Sequence, residues 1–183
     1  MRLSSCRHND LAYQIRVLYK NQFSQFDLTK NGSARPPEDL WQTDIPRLRA
    51  GKLGGQVHMY MYTCRYILCT HTHTHTTTFT IEIHSLTQFW SAYMGCSSMG
   101  YDATRAFIDQ IDVIKLLVKR YPDTFQFATS SSDITSAMKT NHIASLVGIE
   151  GGHAIDSSLG TLRQLYDLGA RYMTLTHFCN TPW

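Results

Sequence analysis

The second half of the chain has the most regular pattern of apolar and polar positions. Between Asp102 and Pro122, apolar residues recur at helical spacing, which predicts an amphipathic helix that ends at the proline. The residues of this apolar face are Ala103, Ala106, Phe107, Ile111, Ile114, Leu117 and Val118. We therefore expect a helix that buries one face in a hydrophobic core.

Shorter apolar runs that follow this helix predict alternating strands and helices. Thr124–Ala128 and Ile143–Ile149 have the pattern of strands, and Ser132–Lys139 between them has the pattern of a short helix. The run Ile143–Ile149 is uniformly apolar, which is typical of a strand buried on both faces. Next comes a helix that Ser157 or Ser158 can cap and Gly169 can end, with apolar residues Leu159, Leu162, Leu165, Tyr166 and Leu168, and then a strand at Arg171–Thr176.

This alternation predicts parallel strands joined by crossover helices, either in a barrel or in a doubly wound sheet. A complete (β/α)8 barrel needs about 250 residues, so a chain of 183 residues could form only part of one. A hydrophobic content of 43% is sufficient for one globular domain with a buried core. We therefore expect an α/β domain.

Charge and hydropathy exclude some partners. The net charge of +3 is spread along the chain without a cluster of Lys and Arg, which argues against a nucleic-acid partner. No apolar run approaches the roughly 20 residues that cross a bilayer. Met1–Cys6 lacks the apolar core of a signal peptide, so we expect no export or anchoring signal in the chain as written.

The segment Val57–Gln88 does not fit the alternating pattern. It contains alternating Thr and His from Thr70 to Thr76, without helical or amphipathic periodicity. A CA dinucleotide repeat encodes this alternation, every Val codon begins with GT, and one Gln codon ends in AG. We hypothesise that Val57–Gln88 is an unstructured foreign insert from a retained intron. The alternative is a metal-binding histidine tract.

Side chains suited to chemistry follow two of the predicted strands. Glu150 comes directly after Ile143–Ile149, and His177 comes directly after Arg171–Thr176. Ligands bind at the carboxyl ends of parallel strands, and a buried carboxylate is costly unless it is paired or binds a metal. We therefore expect Glu150 and His177 to be suited to metal or substrate binding; the alternative for Glu150 is a side chain that points into solvent.

Five other residues, at three places in the chain, are weaker candidates. His8 and Asp10 lie two residues apart, so in an extended backbone both side chains project from one face and can reach one metal ion. A surface turn is the alternative for this pair. His153 lies at the start of a loop, where we expect it to be solvated or to cap a helix. No His–acid pair at a recognisable spacing supports Ser157 or Ser158 as a nucleophile.

Two long segments around these candidates resemble the membrane (renal-type) dipeptidases. They are Gly148–Gly160 and Thr174–Trp183, and shorter matches are His8–Leu11, Ile45–Gly51, Gly54–Gln56 and Phe89–Ser91. The resemblance covers nearly all of the chain except Met1–Arg7 and the insert. Joining Gln56 directly to Phe89 restores the run typical of the family.

The resemblance implies a zinc-dependent dipeptidase on a (β/α)8 TIM-like barrel of the metal-dependent hydrolase type, of which residues 1–183 form one incomplete domain. Two zinc ions occupy the complete site in this family. His8 and Asp10 would bind one ion, the catalytic Glu150 would bridge both, and His177 would hold the dipeptide. A bridging hydroxide would attack the peptide bond. The family's other ligands follow Trp183, so we expect this chain alone to be inactive.

The resemblance also implies a disulfide between Cys96 and Cys179 and an oxidising, extracellular setting. Counting five cysteines does not by itself distinguish disulfides from free thiols. Family members are glycoproteins held on the outer cell surface by a GPI anchor and assembled as disulfide-linked homodimers. The alternatives are a related metal-dependent hydrolase of other substrates and a catalytically dead short form that binds or dimerises.

Overall fold

Helices and strands alternate along the residues that the computed structural model describes, which are 9–30, 43–51 and 87–183. The helices are α1 Leu11–Tyr19, α2 Ile45–Ala50, α3 Ala103–Arg120, α4 Ser131–Lys139 and α5 Leu159–Asp167. The strands are β1 Thr87–Ala92, β2 Phe125–Phe127, β3 Ile143–Ile149 and β4 Ala170–Met173. Short 3-10 turns lie at Phe23–Gln25, Cys96–Ser98 and Gly152–Ile155.

Strand β3 is the centre of the parallel sheet. It pairs with β1 from Ala144 to Ile149. It also pairs with β2 at residues 143–145 and with β4 at residues 147–149. Because β1 already occupies one edge of β3, strands β2 and β4 follow one another along the opposite edge. Asn9 adds a parallel bridge to Trp90 in β1.

Helix α3 covers one face of this sheet. All seven residues of its predicted apolar face are buried, and the helix contacts β1, β2 and β3. In the same core, Trp90 packs edge-to-face on Phe125 with ring centroids 5.5 Å apart. Each large side chain fully buried in this way contributes about 1.5–3 kcal/mol. The predicted amphipathic helix is confirmed.

The seven residues of β3 are all buried. Ile143, Val147 and Ile149 belong to the core that includes α3, whereas Ala144 and Leu146 belong to a second cluster with Ala137 of α4. Both faces of the strand are therefore covered, as its uniformly apolar sequence predicts. The predicted bounds Ile143–Ile149 are confirmed.

Side-chain caps define where two of the helices begin. Ser130 and Asp133 form a capping box at α4, in which each side chain accepts a hydrogen bond from the backbone N–H of the other. At α5 the hydroxyl of Ser158 accepts a hydrogen bond from the N–H of Thr161 at 3.2 Å. Ser158 is therefore the cap of α5, and Ser157 is not.

Strands β2 and β4 are shorter than the predicted Thr124–Ala128 and Arg171–Thr176. Strand β4 ends at Met173, after which the hydroxyl of Thr174 accepts a hydrogen bond from the N–H of Gly151 at 2.7 Å. His177 therefore lies four positions beyond the end of β4 rather than directly after a strand. The predicted alternation of helices and parallel strands is confirmed.

The last two residues of the predicted insert Val57–Gln88 lie in the described part of the chain and are not unstructured. Thr87 and Gln88 belong to β1, where they pair with Ala144 and Ser145 of β3. Strand pairing uses backbone groups, so these two residues fit whatever their origin. Residues 57–86, with the histidine tract, lie outside the described residues, and the retained intron stays a hypothesis.

Part of the predicted apolar face of α5 is exposed. Leu165 is buried, but Leu159 is 65% and Tyr166 is 58% exposed. Between α5 and β4 lies an open groove of about 530 Å³, lined in part by Leu162 and Met173.

Among the described residues, no helix is both long and apolar enough to cross a membrane.

Candidate functional site

Four segments bring polar side chains to the carboxyl edge of the sheet. Glu150 follows β3 directly, Tyr93 follows β1, and His177 lies four positions beyond the end of β4. Asp10 follows Asn9, which is bridged to β1. Parallel strands all end at the same edge of a sheet, so the segments that carry these residues leave it on one side.

Glu150 is the buried centre of the site, with 4% of its surface exposed. Its N–H donates to the carbonyl of Ala92 at 3.0 Å, which fixes the end of β3 to β1. The hydroxyl of Ser91 donates to Oε2 at 2.8 Å, and Nε2 of His177 lies 3.1 Å from Oε1. These polar partners offset the cost of burying the carboxylate. The alternative of a solvent-directed Glu150 is therefore wrong.

Aromatic rings hold His177 at the rim of the site. Its imidazole packs edge-on against Tyr93 and Phe178, with ring centroids 5.6 and 4.2 Å away. Tyr93 in turn packs against Tyr13 at 5.1 Å. Burial raises the pKa of Tyr93, and the nearby Tyr13, Glu150 and Asp10 add to this effect. The phenol therefore stays protonated at neutral pH and can donate a hydrogen bond.

A glycine in β3 makes room for a second tyrosine. A Cβ on Gly148 would lie 2.1 Å from Cζ of Tyr172, so any larger residue would displace the ring. This ring also packs against Phe89, with centroids 5.2 Å apart. Burial first, and then the negative charges of Glu150 and Asp10, raise the pKa of Tyr172. Both carboxylates therefore act on the same phenols, which indicates one region of negative potential.

The predicted site residues are brought together only in part. Glu150 and His177 are in contact. Asp10 is exposed at the start of α1 and lies close enough to raise the pKa of Tyr93 and Tyr172. His8 lies outside the described residues, so its role stays a prediction.

His153 is buried, and the expectation of a solvated or helix-capping histidine is wrong. Only 5% of its surface is exposed, and its ring packs edge-on against Phe107 at 5.1 Å. Its Nε2 lies 2.9 Å from the carbonyl oxygen of Met94. The glycines at 151 and 152 turn the chain inward here, which carries the imidazole under the loop that follows β1.

A disulfide joins Cys96 to Cys179, with the sulfur atoms 2.17 Å apart. Cys96 begins the 3-10 turn after β1, and Cys179 lies two residues after His177. The bridge therefore ties the loop after β1 to the segment that carries His177. This contact holds two walls of the site together.

The donor groups of the site suit a metal ion. Carboxylate oxygens at Asp10 and Glu150 and the imidazole of His177 are ligand types that zinc accepts. Among residues 9–30, 43–51 and 87–183, no three His, Cys, Asp or Glu side chains are grouped so that they could hold an ion. The described residues thus have fitting chemistry but form only part of a ligand set.

The sequence profile of the family described as membrane dipeptidase (peptidase family M19) matches residues 65–183, more than half of the chain. The chain belongs to the membrane dipeptidase family. Among its relatives are Dipeptidase 3 of Mus musculus and of Rattus norvegicus, each 34% identical over 176 residues. The alignments cover 96% of this chain and 27% of each relative. The chain therefore spans about a quarter of the length of these dipeptidases.

A solved structure has the same fold. It is a crystal structure described as a dipeptidase and metallo peptidase of family M19, with a TM-score of 0.61 and 13% identity. The similarity covers 92% of this chain and 41% of that one. At this identity it concerns the fold alone, and it confirms a partial (β/α)8 TIM-like barrel. Membership of a metallopeptidase family also implies a metal cofactor.

Sequence reasoning missed three residues of this site. Tyr93 follows a strand and could have been found by the argument that found Glu150. Ser91 and Tyr172 lie within strands, and no sequence signal identifies them. Their roles follow from strand register, since Ser91 of β1 and Tyr172 of β4 both pair with Gly148 of β3.

Proposed function

We propose that this chain is part of a zinc-dependent dipeptidase that hydrolyses the peptide bond of dipeptides. The observation that carries the proposal is the buried carboxylate of Glu150 at the end of β3, in contact with His177 at 3.1 Å. This pair lies at the edge of the sheet where barrel enzymes bind their ligands. The relatives that share the sequence are named dipeptidases, which supports dipeptides as the substrate class.

Asp10 and Glu150, together with His8, would hold zinc in the whole protein. Zinc would supply a Lewis acid and make a water molecule acidic enough to react at neutral pH. Glu150 suits this role because Ser91 fixes one carboxylate oxygen by a hydrogen bond of 2.8 Å. A ligand whose orientation is fixed by a second hydrogen bond binds metal more tightly.

His177 would bind the substrate. Its side chain is 29% exposed, so one part faces the open side of the site while Nε2 faces Glu150. The rings of Tyr93 and Phe178 fix its orientation. A protonated Tyr93 beside it would offer a hydrogen-bond donor to a carbonyl or carboxylate of the dipeptide.

Location and assembly are further parts of the proposal. We propose a glycoprotein on the extracellular face of the cell membrane, held there by a GPI anchor and assembled as a disulfide-linked homodimer. The family is described as membrane dipeptidase, which supports membrane association. The Cys96–Cys179 bridge supports an oxidising compartment, because such bridges are rare in the cytosol.

The test compares two proteins purified in parallel with zinc. One is the 183-residue chain, which we propose to be inactive because the relatives named dipeptidases are about four times as long. The other lacks residues 57–88 and is extended by the remaining sequence of a full-length relative. Zinc content and hydrolysis of a simple dipeptide are measured for both. We expect turnover in the extended protein alone.

Matched variants of the extended protein test the residue that carries the proposal. Glu150→Gln removes the negative charge and should abolish zinc retention and turnover. Asp112→Asn, at an exposed carboxylate on α3, should change neither. A well-folded, inactive extended protein would favour a hydrolase of other substrates or a non-catalytic binding chain. Normal turnover in Glu150→Gln would exclude the proposed role of Glu150.

A further inference from the structure

The two cysteines of the Cys96–Cys179 bridge lie in different surroundings. Cys96 is an exposed residue at the start of a surface turn, whereas only 4% of Cys179 is exposed. A dissolved thiol can therefore approach the bridge from the Cys96 side. Thiol–disulfide exchange depends on which sulfur is accessible and on how well the other sulfur leaves.

A buried imidazole lies beside the inner sulfur. Nε2 of His153 is 3.7 Å from Sγ of Cys179 and 2.9 Å from the carbonyl oxygen of Met94. A carbonyl oxygen only accepts hydrogen bonds, so Nε2 carries the proton. Within the described residues, the buried Nδ1 has no hydrogen-bond partner, which is consistent with this tautomer. The N–H of His153 is therefore placed to donate to Cys179 as well.

We propose that Cys96 is a site of reversible modification by small thiols, with Cys179 as the leaving group. The thiolate of the small molecule attacks Sγ of Cys96 and forms a mixed disulfide there. The bond between Cys96 and Cys179 breaks, and its electron pair stays on Sγ of Cys179. The N–H of His153 donates a hydrogen bond to this thiolate, and no oxidant or reductant is consumed beyond the thiol itself.

This direction of exchange follows from access and from charge. A buried thiolate is costly without a hydrogen-bond donor, and His153 is a donor that is already in place. The reverse direction requires a thiol to reach Cys179 beneath the surface. The opened bridge would also free the segment that carries His177 from the loop after β1. The proposal does not depend on dipeptidase activity.

The first experiment identifies the modified cysteine. Cys6, Cys64 and Cys69 are replaced by Ser in the full chain so that only the bridged pair remains. The protein is exposed briefly to reduced glutathione, quenched with acid, alkylated and mapped by peptide mass spectrometry. We expect glutathione on Cys96 and the alkyl group on Cys179, in about tenfold excess over the reverse pattern. Equal labelling, the reverse pattern, or exchange only in the unfolded chain would overturn the proposal.

The second experiment tests the donor. His153→Phe removes the N–H and should slow formation of the mixed disulfide roughly three- to tenfold. The reason is that negative charge already develops on Sγ of Cys179 in the transition state, where the hydrogen bond from His153 stabilises it in part. His153→Gln keeps an N–H donor and should lie closer to the unmodified rate. His142→Gln is the matched control, because His142 lies directly before the first residue of β3, at the other end of the strand from His153. An unchanged rate in a folded His153→Phe protein refutes the role of His153. If this variant does not fold, the cysteine that carries glutathione in the first experiment still decides whether Cys96 is the site of attack.

Discussion

Replacing Gly152 by Ala should destabilise the fold by overpacking. A Cβ at this position would lie 2.3 Å from the carbonyl oxygen of Leu175 and 2.5 Å from Cζ2 of Trp183. Real contacts are never this short, so at least one neighbour must move. The oxygen belongs to the backbone between β4 and His177, which cannot rotate away as a side chain can. The substitution should therefore push that segment away from Glu150.

The magnitude follows from the kind of atom that must move. Inserting a methyl group into a packed site costs about 1–3 kcal/mol, and a backbone neighbour favours the upper part of that range. For a protein of this size, each kcal/mol lowers the melting temperature by about 2–4 °C. Gly152→Ala should therefore lower it by about 4–12 °C, measured by circular dichroism and checked by urea unfolding.

Gly160→Ala is the matched control within the same part of the chain. Gly160 lies in the first turn of α5, where an added Cβ would meet only the hydroxyl of Ser158 at 3.4 Å. Ala is the better helix former, so this change should raise the free energy of unfolding by about 0.5–1 kcal/mol. The two glycine substitutions should therefore have opposite signs. A Gly152→Ala protein as stable as the unmodified chain would refute the packing argument.

Three further variants test other contacts. Ser91→Ala removes the donor to the buried Glu150 and should lower the free energy of unfolding in urea by about 1–3 kcal/mol; no measurable loss would mean that the hydrogen bond is dispensable. Cys96→Ser combined with Cys179→Ser opens a bridge across 83 positions and should cost up to about 4.5 kcal/mol in the same assay; an equal midpoint would contradict this. The hydrogen bonds from the backbone of Thr129 and the side chain of Ser130 lower the pKa of Asp133 in the folded protein. The stabilisation by the Asp133 carboxylate is therefore fully present above the pKa of an unfolded Asp, and it is lost as the pH falls through the lower pKa of the folded protein. Asp133→Asn should therefore weaken the acid dependence of the melting temperature below about pH 4, and unchanged acid dependence would contradict the assignment.

The sequence predicts those elements whose burial depends only on the pattern of their own apolar residues. The predictions of the apolar face of α3 and of the uniformly apolar strand β3 are correct, because each element buries the apolar residues that its own sequence places on the buried side. The same holds for the strand-end argument that placed Glu150 in a polar site. These features depend on local periodicity and on the general geometry of parallel sheets.

Features that depend on distant partners could not be predicted. The burial of His153 results from Phe107 and Met94, which lie on other segments of the chain. The hydrogen bond from Ser91 to Glu150 depends on the register between β1 and β3, which no short motif specifies. Such contacts are properties of the assembled sheet rather than of either segment alone.

The order of strands around β3 bears on how the protein folds. Phe125 pairs with Ile143 across 18 positions, whereas Thr87 pairs with Ala144 across 57. Closing the longer loop costs more chain entropy, and long-range pairing slows folding. We therefore expect β2, β3 and β4 to assemble first and β1 to dock onto the free edge of β3 afterwards. Since Ser91 and Tyr93 arrive with β1, the pocket around Glu150 would be completed only in this final docking step.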